Sequence, residues 1–199
     1  MTEAANDISS FIRGLSDADP AKRGSAAAEI FRRGSELARS AVQHWLADKE
    51  LAGCFTIGDS GFPETTVGLA VMPARFESIR TACGSPRLAD APPDEDVLEV
   101  ELEFPAGVRL DILTSRQPEG SGAIARFLRR FGEGIQQIEL FSNNVDRATR
   151  ILRERFRLMP VFPATRAGAG GTRVNFFLVR EPQGRNVLIE LVEAGKPHA

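Results

Sequence analysis

Largely apolar stretches that alternate like strands carry polar side chains at alternate positions: Arg109 and Asp111 in residues 108–113, Gln137 and Glu139 in residues 135–141, and Glu190 in residues 187–192. Successive strand residues point to opposite faces, so Arg109 stands beside Asp111 and Gln137 beside Glu139. Leu110, Ile112, Ile138, Leu140, Ile189 and Leu191 take the other faces, where helices can cover them. Carboxylates gathered on a strand face can hold a hard cation through oxygen or move a proton, and two held close in a dry site push one pKa upward, which suits a base. Imidazole is scarce. His44 falls in a helical stretch and His198 is the penultimate residue, so neither is placed to join the strand residues. Cys54 and Cys83 have no histidine partner and Ser60 and Ser121 have no base, so no nucleophilic triad can be assembled. Residues 166–173 are glycine-rich but precede a strand and not a helix N-terminus, which excludes a phosphate-cradling loop and predicts a flexible rim with Arg166 and Arg173 available to an acidic ligand.

These residues need a scaffold, and the chain is long enough for one. With 199 residues and 42% hydrophobic composition it can build one full core and a small extra element. The 25 Lys+Arg against 27 Asp+Glu are spread along the chain, leaving a formal charge of −2 and no basic face for nucleic acid. Two cysteines are no disulfide framework, and the chain shows neither a signal-like N-terminus nor an apolar run long enough for a membrane span; a cytoplasmic protein is expected.

Apolar residues from Ala27 through Ile30, Phe31, Leu37, Ala38, Ala41 and Val42 to Trp45 recur at helical spacing. Ile8, Phe11, Ile12 and Leu15 form a shorter partner stripe, and Asp19 before Pro20 reads as an N-cap with proline at the first helical position. Residues 1–50 are therefore expected to form a helical hairpin that packs on the main domain or on a second copy. From residue 65 the pattern changes to a strand at 66–71, a helix carrying Phe76 and Ile79, strands at 97–104 and 108–113, and a helix at 123–131. The order then repeats: a strand at 135–141, a helix at 144–156, and strands at 157–162, 173–180 and 187–192. The expected fold is α+β, two tandem βαβββ half-barrel modules at about 64–115 and 133–193 within a domain of residues 62–195, behind the hairpin.

The stretches at 66–71, 121–128 with 134–138, 168–174 and 187–193 resemble the vicinal oxygen chelate superfamily, which includes glyoxalase I, bleomycin-resistance proteins, extradiol dioxygenases and methylmalonyl-CoA epimerase, the epimerase-like members being the nearest. The resemblance covers about the last two-thirds of the chain. It implies a divalent metal held by one side chain from each of four strands. Those positions fall on Thr66, Asp111, Gln137 and Glu190, of which Glu190 alone matches the family pattern, and histidine is absent from all four. An all-oxygen set favours Mg, Mn or Ca over Zn.

Three readings follow. Asp111, Gln137, Glu190 and Thr66 bind such an ion. Or Glu139 and Glu190 move a proton beside a carbonyl without a metal, with Arg109 or Gln137 left to stabilise the enolate. Or the face is a polar pocket for a small carboxylate-bearing or otherwise anionic ligand, with Arg109, Gln137, Arg166 and Arg173 as binding residues. The expected function is the last, with a metal-dependent epimerase or lyase and an interaction protein acting through the hairpin as alternatives. A homodimer is expected from the family habit of pairing units.

Overall fold

The computed structural model describes residues 3–92, 96–180, 184 and 186–195. Two helices open the chain, α1 (Glu3–Gly14) and α2 (Pro20–Leu46). The Asp19 carboxylate accepts the Ala21 N–H at 2.9 Å, capping α2 as the Asp-Pro pair predicts. Gly14 lets α1 approach α2, since a Cβ there would lie 2.9 Å from that of Ala26. Ile12, Leu15, Ala27, Ile30, Val42 and Trp45 are all buried, so the hairpin stripe is covered within the chain. The short α3 (Lys49–Ala52) follows, capped by Asp48.

The contacts divide the chain into two units, Met1–Gly34 with Thr66–Gln136 and Ser35–Thr65 with Gln137–Ala199. The strands of the first are β1 (Thr65–Ala70), β2 (Leu98–Phe104) and β3 (Val108–Thr114), with α4 (Pro73–Ala82) after β1 and α5 (Ala123–Phe131) after β3. β3 lies between a parallel β1 and an antiparallel β2. The tight turn between β2 and β3 puts Ala106 at φ 62° and Gly107 at φ 70°. Arg87–Ala91 has no named strand, but the Ala89 N–H reaches the Glu99 carbonyl at 3.0 Å, so this segment runs along β2. Val67, Leu69, Leu110 and Ile112 fill one face, on the side opposite Ala70 and Leu113, which join Val97 and the α5 residues Ile124 and Leu128 in a separate cluster.

The second unit repeats the plan with β4 (Gly134–Phe141), α6 (Val145–Arg155), β5 (Arg166–Ala167), β6 (Arg173–Arg180) and β7 (Asn186–Glu193). β7 lies between a parallel β4 and an antiparallel β6, and β5 pairs with the far edge of β6. The α6 residues Val145, Ala148, Ile151 and Leu152 are buried, as are Ile138, Leu140, Phe177, Ile189 and Leu191 on one side of the strands α6 packs against. Asn144 caps α6 by accepting the Arg147 N–H at 2.9 Å.

One expected strand is absent. Residues 157–162 make only an isolated bridge, Pro160 to Phe177, with the Val161 N–H on the Phe176 carbonyl. Pro160 and Pro163 lack the N–H a ladder needs, and Arg157 sits at φ 57°. The strand forms later, as β5, inside the stretch expected to be a flexible rim. Its link to β6 is a tight turn in which Gly170 and Gly171 take φ 62° and 76°.

In α2, Glu29 accepts hydrogen bonds from Arg32 at 2.6 and 2.9 Å and from Arg33 at 2.8 Å, which lower its pKa from 4.5 to about 2. The depressed carboxyl contributes stability above pH 4.5 that is lost as pH falls towards 2. Glu29→Gln should lower the melting temperature at pH 7 by an amount worth at most about 1 kcal/mol for a screened pair. The gap from wild type should close between pH 4.5 and 2 in thermal unfolding.

Candidate functional site

In the second unit Glu139 is the direct neighbour of Glu190 across the β4–β7 pairing, and Gln137 that of Leu188. Residues paired this way share a face, so the register brings Glu190 to Gln137 and Glu139, which alternation had placed side by side. Glu139 and Glu190 are 6% and 7% exposed, an unusual depth for two adjacent carboxylates. Gln137 joins them: its Nε2 donates to Glu139 Oε1 at 3.0 Å and to Glu190 Oε2 at 2.6 Å. An amide nitrogen has two hydrogens, and here each goes to a different acid.

The same face continues across β7 and β6. Phe176 lies opposite Glu190, and Leu178, 55% exposed, lies opposite Leu188. Phe162 meets Phe176 edge-on at 5.8 Å, and Arg166, opposite Val174 on β5, places its guanidinium 4.6 Å from the centre of the Phe162 ring. Arg166 thus stands at the edge of the face that carries the acids. These aromatic and leucine positions were not singled out in the sequence. The signal was the even-numbered set on β6, but without the pairing register it could not be tied to Glu190.

Arg173 is placed elsewhere. It pairs with Glu193, and its guanidinium bonds Asp146 at 2.5 Å and Glu193 at 3.3 Å on the α6 side of the strands. The Thr165 hydroxyl and Arg173 hold the Asp146 carboxyl below its ordinary range. Glu193 also accepts the Val145 N–H at 2.8 Å, so this cluster ties down the start of α6.

In the first unit, the register puts Gly68, Asp111 and Glu101 in one row and Arg109 beside Glu103. Thr66, two residues before Gly68, shares this face. Asp111 is 6% exposed, and Thr66, 1% exposed, has a buried hydroxyl without a hydrogen-bond partner. The sequence reading missed Glu99, Glu101 and Glu103, whose period-two spacing on β2 was the available signal.

His44 is exposed on α2, edge-on to Phe156 at 5.2 Å, and His198 lies outside the described residues. Burial pushes the Cys54 and Cys83 thiols up, away from nucleophilic behaviour. Among the described residues no group of three or more His, Cys, Asp or Glu side chains could hold a metal ion. The second unit's donors also do not fit a cation as they stand. Gln137 presents hydrogens and not its carbonyl oxygen to the acids, and a cation placed between them would face N–H groups. No helix of the described residues is long and apolar enough to cross a membrane.

Two tandem strand–helix–strand units give the chain a glyoxalase-like α+β fold. No family model matches the chain, and no curated protein matches it. Among solved structures, methylmalonyl-CoA epimerase from Mycobacterium tuberculosis is 27% identical, with a TM-score of 0.52 over 66% of this chain and 87% of that one. A hypothetical protein from Bacillus halodurans C-125 is 22% identical, with a TM-score of 0.52 over 67% and 95%. A variant of the Streptomyces coelicolor methylmalonyl-CoA epimerase, solved with 2-nitronate-propionyl-CoA, is 21% identical, with a TM-score of 0.50 over 67% and 98%. The chain has the fold of the methylmalonyl-CoA epimerases and so of the vicinal oxygen chelate superfamily.

Gln137→Leu should lower stability by about 1–3 kcal/mol in urea unfolding, because both acids lose their shared donor. Adding Glu190→Met should recover part of the loss by removing one of the two adjacent buried carboxylates.

Proposed function

We propose that the second unit binds a small carboxylate-bearing acyl molecule on the face of Gln137, Glu139 and Glu190 and moves a proton at the carbon beside its carbonyl. The observation that carries this reading is the pair of buried carboxylates sharing one amide donor. Two adjacent acids have little structural value in a core, where apolar side chains would serve stability better. They suit a site whose charge changes during its work.

One glutamate takes the proton: the C–H bond breaks, an O–H bond forms on the carboxylate, and the electron pair moves into the carbonyl to give an enolate. Once protonated, that acid supplies its own hydrogen to its neighbours, and the Gln137 N–H it held can turn to the enolate oxygen. Return of the proton to carbon restores the carbonyl. Both acids stand on one strand face, so the chemistry supported is enolisation and proton exchange from that side. Arg166, across the face from Glu190, is the cation offered to the ligand's carboxylate. Arg109 has Glu103 as its cross-strand neighbour in its own unit and is less suited to that task. The likeness to epimerases that handle an acyl thioester supports the reaction class, and the donor geometry favours a route without a metal.

The test follows the exchange of α-protons of 8-oxononanoate in D2O by NMR. Glu139→Gln and Glu190→Gln should each slow exchange by about 100-fold or more. Arg166→Gln should weaken binding with little effect on the exchange rate at saturation. Treatment with EDTA should leave exchange unchanged; loss on chelation and return with Mn²⁺ would overturn the metal-free route.

A further inference from the structure

An apolar row crosses the strands beside the acids. Leu188 is the direct neighbour of Gln137 on β4 and of Leu178 on β6. The bridge of Pro160 to Phe177 continues the row, because it sets Met159 opposite Leu178 beyond the far edge of β6, on the same side of the strands. Leu178 is 55% and Met159 75% exposed, and Leu188 is half-buried, whereas Phe177 and Ile189 on the α6 side are fully buried. The row runs outward from the amide that holds the two acids, and Glu190 and Phe176 separate it from Val174 and Arg166 on their other side.

A strand from a second chain is a poor cover for this row. The Val161 N–H is turned in to the Phe176 carbonyl, so the adjoining Pro160 faces the open edge, where it has no N–H to offer. Exposed apolar side chains beside buried polar groups suit the hydrocarbon of a small ligand instead.

We infer that Leu188, Leu178 and Met159 are substrate-binding residues that take an apolar arm attached to the carbonyl on the side of Gln137. This rests on the reading of the acid pair given above and adds the class of molecule: a ketone or thioester with a long hydrocarbon arm leading away from the acids. The spacing sets its length. Leu188 on β7 and Met159 beyond β6 are two strand intervals apart, roughly 10 Å at ~4.8 Å each. A methyl arm leaves the row bare, whereas an octyl arm reaches across it and covers Leu178.

The experiment compares 8-oxononanoate, whose carbonyl carries a methyl arm, with 8-oxohexadecanoate, which carries an octyl arm on the same acid. Binding of each, below its micelle concentration, is measured by isothermal titration calorimetry to the full chain and to Leu178→Ser, Met159→Ser and Met72→Ser. All three positions are exposed, Met72 lying in the first unit, so the variants keep the folded core, which their unfolding curves check. The octyl acid should bind at least about tenfold tighter to the wild-type chain, the gain expected when roughly two methylenes' worth of surface is fully buried. That advantage should fall below about threefold in Leu178→Ser and Met159→Ser and persist in Met72→Ser. Equal affinities for the two acids, an advantage undiminished in Leu178→Ser and Met159→Ser, an advantage lost equally in Met72→Ser, or no binding of either acid would each overturn the inference. Sedimentation velocity on the same samples adds one more such outcome: a dimer dissociated by Leu178→Ser would assign the row to a second copy. NMR of the mixtures in D2O separates this from the catalytic reading. An arm preference without α-proton exchange supports the row and rejects proton transfer, whereas exchange without an arm preference rejects the row and leaves the acids their role.

Discussion

The amide of Gln137, divided between two buried carboxylates, is the interaction on which the site proposed in the second unit depends. Burying one carboxylate is costly and burying two side by side more so, unless each is met by a donor. A single side chain with two hydrogens on one nitrogen meets both. This works only if β4 and β7 are parallel and in register, with Glu139 beside Glu190 and Gln137 two residues back. The register is in turn held by the other side of the strands, where Ile138, Leu140, Ile189 and Leu191 are buried on the α6 side and a slip of one residue would bring them to the wrong face.

This arrangement gives a physical account of why the site lacks histidine. Where a metal holds several ligands together, imidazole is a natural donor and an amide is a weak one. In this chain the amide serves as a donor of hydrogens to the acids, a task that requires glutamine or its like and that a neutral imidazole, with one N–H, would only half perform. The oxygen-rich set is thus consistent with acids kept for proton chemistry.

Much of the fold was legible because strong signals agreed. The Asp19-Pro20 cap, the period-two alternation of 134–141 and 186–193, and the helical stripe of Val145, Ala148, Ile151 and Leu152 each specify an element locally and a face globally. Alternation put Gln137 beside Glu139, and the family resemblance brought Glu190 to them. What failed was the stretch after α6. Residues 157–162 have strand-like composition, but Pro160 within them and Pro163 just after remove donors, and the next named strand begins at Arg166. The placement of Arg173 was hidden for a different reason: its face is set by pairing with Glu193, information that resides in a distant strand. The exposure of Leu178 was hidden for the same reason, since Leu178 and buried Phe177 look alike in sequence and are told apart only by which side α6 covers.

Glu190 and Glu193 stand three residues apart on β7 and face opposite ways, the first towards Gln137 and the second towards Val145 and Arg173. The strand is therefore pinned from both sides, and sliding it along its neighbours would break charged contacts on each. Binding sites that widen by shifting a strand are closed to such a scaffold. Under the proposed function, new preferences would have to arise by replacing side chains on the acid face, so that diversification would leave the backbone as a fixed record of descent while the ligand changed.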